Sequence, residues 1–139
     1  AAYAFLAVLG YITINAAISV RAVATARPLV ESIGQPTMAV AGEVPLEFWK
    51  RQVMWRTDKL SGTVDYEPFT VARLGPQVVP LNLDDPRLLA AERTEPDVCS
   101  FLFWSRMPRV LHLDGRAYLS DQRFPALRRT TFMVPLDKR

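Results

Sequence analysis

AAYAFLAVLGYITINAAISV, residues 1–20, holds no Asp, Glu, Lys or Arg; all 17 basic and 14 acidic side chains of the chain lie from Arg21 onward. Twenty helical residues span about 30 Å, close to the hydrocarbon thickness of a bilayer. Ala4, Ala7, Tyr11, Asn15 and Ile18 recur at helical spacing, and Ala2, Leu6, Gly10 and Ile14 form a second row. Small residues in such rows let helices approach closely in a membrane. The stretch lacks an initiator Met, a basic start and a cleavage site, so it does not read as a signal peptide, and its Ala-Ala start reads as a piece of a longer chain. A membrane-spanning helix is therefore expected. The alternatives are a buried helix of a soluble protein, or a dimerisation helix over residues 1–33.

Arg21 and Arg27 follow the apolar stretch with Glu31 as the nearest acid, and a cationic flank of this kind places the rest of the chain in the cytoplasm. The helix is expected to run on to about Ile33, with a kink or restart at Pro28 and a stop at Gly34.

Beyond residue 36 the pattern changes to short apolar runs punctuated by Pro and Gly. Strands are expected over 38–44, over 48–57 with Trp49, Val53 and Trp55 on one side, and over 60–69. Gly75-Pro76 reads as a chain break and 78–83 as a connecting extended piece. Asp84 or Asp85 caps a helix with Pro86 in its first turn, and a second short helix covers 98–104. Residues 109–113 and 116–120, joined by Asp114-Gly115, read as a hairpin with a type I′ turn, and 130–136 as the last strand. The expected class is α+β: a long N-terminal, membrane-associated helix over 1–36 with its linker, then a soluble domain over 37–139. That domain would be an antiparallel sheet of about five or six strands with two short helices. At 139 residues, one ordinary core is expected.

Composition excludes more chemistry than it suggests. One cysteine (Cys99) and one histidine (His112) leave no disulfide framework and no zinc site of Cys and His. There is no HExxH, no glycine-rich phosphate loop and no G-x-S-x-G elbow. His112 reads as a strand residue with one hydrogen bond, Cys99 as a small buried helix residue, and no catalytic residue is assigned. Net charge is +3 and the basic residues are scattered, so nucleic acid is not expected as a partner.

A polar and aromatic cluster remains. FLFWSRMP puts Trp104, Ser105 and Arg106 at a helix end, and LSDQRFP puts Asp121 and Arg123 just after the hairpin. One hairpin can bring the two together, pairing Asp121 with Arg106 or Arg123 and stacking an arginine on Trp104. The two uses of this cluster are a structural salt bridge and an anion-binding site with Arg106 and Arg123 as donors.

VPLEFWKRQVMWR, VDYEPF, FLFWSRMP and YLSDQRF with the tail RRTTFMVPL, all following an apolar helix, resemble the C-terminal part of the YdjM-like family of bacterial inner-membrane proteins, which carry the label metal-dependent hydrolase. The resemblance covers nearly the whole chain, with W-S-R-x-P at residues 104–108 and D-x-R-F at 121–124 as its best motifs. It implies a bacterial inner-membrane location and a preceding membrane region whose His and Asp residues hold a divalent metal. No metal ligand and no cofactor fall on this chain under that reading. Trp49, Trp104, Ser105, Arg106, Asp121 and Arg123 mark the family pattern. The partners this implies are the membrane and the protein's own N-terminal membrane region; a second copy of the chain is the partner expected if residues 1–33 dimerise. A binding or sensor module for a protein or an anionic lipid headgroup, carried on a membrane helix, is the alternative.

Overall fold

The computed structural model describes residues 2–124 and 132–137. The chain divides into two compact units, Ala1–Val79 and Pro80–Arg139. The architecture is α+β, as expected: a long N-terminal helix followed by antiparallel sheets and two short helices. Instead of one core there are two apolar clusters, one in each unit. Alanines at Ala22, Ala26, Ala72, Ala91 and Ala117 let neighbouring backbones come close enough for clusters this small to close.

The first unit holds α1 (Ala2–Glu31) and a four-stranded sheet in the order β1 (Met38–Val44), β2 (Glu47–Arg56), β3 (Leu60–Tyr66), β4 (Arg73–Pro80). Every residue of α1 from 2 to 14 is exposed, whereas Ala22, Ala26 and Val30, one helical turn apart, pack on Val53, Trp55 and Val64. Alternation along β2 turns Arg51, Val53 and Trp55 to this covered face, and Trp49, on the same side, stays 39% exposed at the strand's start. Within α1, Thr13 Oγ1 and Asn15 Nδ2 donate to the carbonyls of Leu9 and Tyr11 at 2.8 and 2.9 Å, so these polar groups are partnered within the helix. Pro28 does not break α1. It lies in the last turn, where its missing N–H costs one bond, and the helix ends at Glu31 with Ile33 and Gly34 closing onto Val30.

Strand β4 was not expected. Gly75-Pro76 lies inside it, and Pro76 is tolerated because β4 is an edge strand. Strand β3 ends at Tyr66, earlier than the alternation suggests, because Pro68 stands in the following turn. Gly62, opposite Trp55, leaves no room for a side chain: a Cβ there would lie 2.6 Å from the Trp55 ring. Trp55 is wholly buried, so the ring cannot move aside into solvent. Gly62→Ala is expected to lower unfolding free energy by about 2–3 kcal/mol through overpacking. The shift in urea midpoint, followed by tryptophan fluorescence, measures it.

The second unit holds α2 (Pro86–Thr94), α3 (Pro96–Trp104) and a three-stranded sheet β5 (Pro108–Leu113), β6 (Arg116–Asp121), β7 (Met133–Pro135). Asp85 caps α2, its carboxylate accepting from Arg87 N at 2.9 Å, with Pro86 at the first position. Asp114 and Gly115, at φ 51° and 76°, make the type I′ turn that joins β5 to β6. Thr130, expected to begin the last strand, lies outside the described residues. Val98 and Phe101 of α3 pack with Val110, Ala117 and Leu119 of the hairpin. Cys99 faces outward instead of into this core, its Sγ donating to the Glu92 carbonyl at 2.9 Å.

Candidate functional site

The WSR and DxR motifs meet. Asp121 ends β6 and Ser105 caps the C-terminus of α3, and Ser105 Oγ donates to Asp121 Oδ2 at 2.6 Å. The Asp121 carboxylate, 0% exposed, also receives Arg123 N at 2.8 Å, Arg123 Nε at 3.0 and 3.2 Å, and Arg123 Nη2 at 2.9 Å. Burial by itself would push this carboxyl up. The hydrogen bonds from Arg123 and Ser105 outweigh it and hold the group at about 2. The Arg123 guanidinium lies 5.9 Å from the Trp104 ring centroid and 5.4 Å from that of Phe124. Trp104, 42% exposed, packs on Phe101 at 4.7 Å, and Phe124 stacks on Phe132 at 4.5 Å.

Ser105, Asp121, Arg123 and Trp104 are thus brought together, with Asp121 pairing with Arg123 of the two expected arginines. Arg106 is exposed and makes no ion pair or hydrogen bond among the described residues. Trp49 lies in the first unit, edge-on to Phe48 at 5.1 Å. Chemically the cluster is a neutral clamp. Every oxygen of Asp121 is taken by a donor, so it is a poor base, and its charge is matched by Arg123.

His112 makes the single expected hydrogen bond, Nε2 to Asp85 Oδ2 at 2.8 Å. Arg87 spans Asp85 at 3.1 Å and Asp137 at 3.4 Å, and its hydrogen bond is the main reason the Asp85 carboxyl is held at about 2. Asp137 also accepts the Ala117 amide at 2.6 Å. Among the described residues no group of three or more His, Cys, Asp or Glu side chains could hold a metal ion. No residue of this chain is assigned to the divalent metal that the resemblance places in a preceding region, and no chemical step of this chain is routed through one.

The most constrained polar residue was not read from the sequence as a site. Arg51 is 1% exposed and reaches α1 from β2. Its Nε donates to Ser19 Oγ at 3.0 Å and its Nη2 to Asn15 Oδ1 at 2.7 Å, while Nη1 donates to the carbonyls of Phe48 and Lys50. Glu43, the acid paired with it, is 3.9 Å away and largely exposed. Two signals pointed there: the inward register shared with Val53 and Trp55, and Asn15 and Ser19 spaced four apart on an otherwise apolar helix. Beside Arg51, the ends of β2, β3 and β4 frame a concavity of about 490 Å³, lined by Lys50, Arg51 and Arg73 together with Glu47, Asp65 and Glu67.

Among the described residues α1 is the one helix long and apolar enough to cross a membrane, with a mean hydropathy of 1.8 in its best window and none of that window buried. Compared with family models, curated proteins and solved structures, the chain matches none.

Proposed function

We propose that this chain is a membrane-anchored, non-catalytic domain of a bacterial inner-membrane protein of the YdjM-like kind, with its sheets facing the cytoplasm. The observation that carries the reading is the division of α1. Residues 2–14 are largely apolar and uncovered, while from Asn15 onward the helix is hydrogen-bonded to Arg51 and packed into the first unit. An anchor built this way is a continuous part of the first unit rather than a tether, so that unit can hold a fixed position against the membrane. The role assigned to it is to position or complete a metal-dependent hydrolytic site carried elsewhere in the parent protein, a role taken from the motif resemblance.

Removal of residues 37–139 from the parent is expected to abolish activity or assembly. The chain purified in detergent is expected to bind no stoichiometric zinc and to hydrolyse no ester. Stoichiometric zinc in this chain overturns the reading.

The binding-module alternative is favoured by the exposure of Phe48, Trp49 and Trp104, and disfavoured by the complete burial of Trp55. Its sharpest form takes Arg106 and Arg123 as anion donors. If Arg106→Ala with Arg123→Ala lowers stability but leaves association with anionic vesicles unchanged, that form fails.

A further inference from the structure

The long axis of β2 follows α1. Its end at Arg56 and Thr57 lies by Gly34, just past the C-terminus of α1, and Arg51, further back along the strand, reaches Asn15 and Ser19. The strand therefore continues from Arg51 toward the N-terminal, uncovered half of the helix. From Arg51 to the β1–β2 turn at Leu46 is five residues, about 15 Å. The β3–β4 turn shares this end, because Tyr66 is paired with Arg51 and the chain turns back just beyond it. The uncovered residues 2–14 of α1 extend about 20 Å past Asn15 in the same direction.

Both turns carry apolar side chains with no cover: Leu46 at 100% and Phe69 at 98% exposure, with Phe48, Trp49 and Val71 beside them. Leu46 is held at φ 68°, a turn conformation that Gly or Asn fills at less cost in water. Two hairpin tips and one helix half thus present apolar groups at the same end of one unit.

We propose that the β1–β2 and β3–β4 turns insert into the same bilayer that receives α1, so that the first unit docks on the membrane at three points instead of hanging from one helix. This rests on the membrane reading of α1. A bilayer that receives the uncovered residues 2–14 has its boundary just short of Asn15 and Arg51, and the tips, about 15 Å beyond Arg51, reach past it. Trp49 then sits where amphipathic aromatic rings are favoured, in the interface. Leu46, Phe48, Phe69 and Val71 enter the acyl boundary. The charges beside the tips carry no cationic excess: Lys50, Arg51 and Arg73 stand against Glu43, Glu47, Asp65 and Glu67, and Lys50 is paired with Glu47 at 2.6 Å. Insertion is therefore driven by apolar area and does not require anionic lipid.

The test uses the full chain carrying Cys99→Ala and one nitroxide-labelled cysteine at a time, from Leu46→Cys, Phe69→Cys, Leu9→Cys or Lys59→Cys, in phosphatidylcholine vesicles. Accessibility to oxygen and to a water-soluble nickel chelate is read for each label. The proposal expects the labels at 9, 46 and 69 to gain oxygen and lose nickel accessibility, with the label at 59, on the opposite turn, left in water. Adding phosphatidylglycerol or salt should change nothing. A label at 9 in lipid with those at 46 and 69 in water overturns tip insertion and leaves the membrane reading of α1 standing. A label at 9 in water overturns both. Tip labels shielded with spin–spin broadening identify a second copy as the occupant and overturn it. So does insertion of the tips that needs anionic lipid and is lost in salt.

Discussion

Arg51→Met is expected to lower the unfolding free energy of the chain in detergent by about 2–4 kcal/mol, the loss expected when several part-buried acceptors lose one charged donor. Methionine matches much of the volume but none of the five donors. The substitution leaves Asn15 Oδ1, Ser19 Oγ and the carbonyls of Phe48 and Lys50 without their guanidinium partner at a part-buried site. Arg51→Lys keeps the charge and one contact at a time, and is expected to recover only part of the loss, since an ammonium cannot span partners on both α1 and β2. Urea unfolding monitored by tryptophan fluorescence measures both. A cycle with Asn15→Ala should show about 1–3 kcal/mol of coupling if the contact ties helix to sheet. Additive losses here and in the matching cycle with Ser19→Ala would mean that Arg51 acts through the strand ends alone.

Asp121→Asn is expected to cost about 2–4 kcal/mol at pH 7, because it removes the charge that Arg123 faces and puts an amide N–H where an acceptor is needed for Ser105 or Arg123. It should also change how stability depends on pH. The folded carboxyl is held at about 2, below its ordinary value of 3.8. A depressed folded value means the native state keeps the proton off where the unfolded chain takes it up. The stabilisation, about 2–3 kcal/mol, is therefore fully present above pH 4 and lost as pH falls toward 2. Asp85 is held at about 2 as well, chiefly by its hydrogen bond from Arg87, so it titrates in the same window. The wild-type chain is expected to lose stability steeply between pH 4 and 2, and Asp121→Asn to retain only the Asp85 part of that slope. Chemical unfolding at half-unit pH steps checks it. An unchanged slope would show that the clamp carries no charge-dependent stability.

Much of the second unit was legible because its signals are local. Asp85-Pro86 at a helix start and Asp114-Gly115 between two apolar runs act through their own backbone angles, and the structure has both where expected. The Asp121–Arg123 pair was within reach for the same reason, the two being separated by one residue. Strand β4 was missed because Gly75-Pro76 is a breaker by local rules, and only an edge position in a sheet makes it harmless. Cys99 was misplaced because small size suggests burial, while the face it occupies on α3 is set by the packing of Val98 and Phe101.

Residues 1–20 announce an apolar helix unaided, since length and the absence of charge suffice for that. Which half of that helix is covered is a different matter. Ala22, Ala26 and Val30 are buried because a sheet lies on them, and Asn15 and Ser19 are partnered because a strand some thirty residues away delivers Arg51 to their level. Local patterning determines that an element forms and which side of it is apolar. Which residues meet across elements depends on strand register and helix placement, and those follow from packing the two faces together rather than from any one stretch of chain.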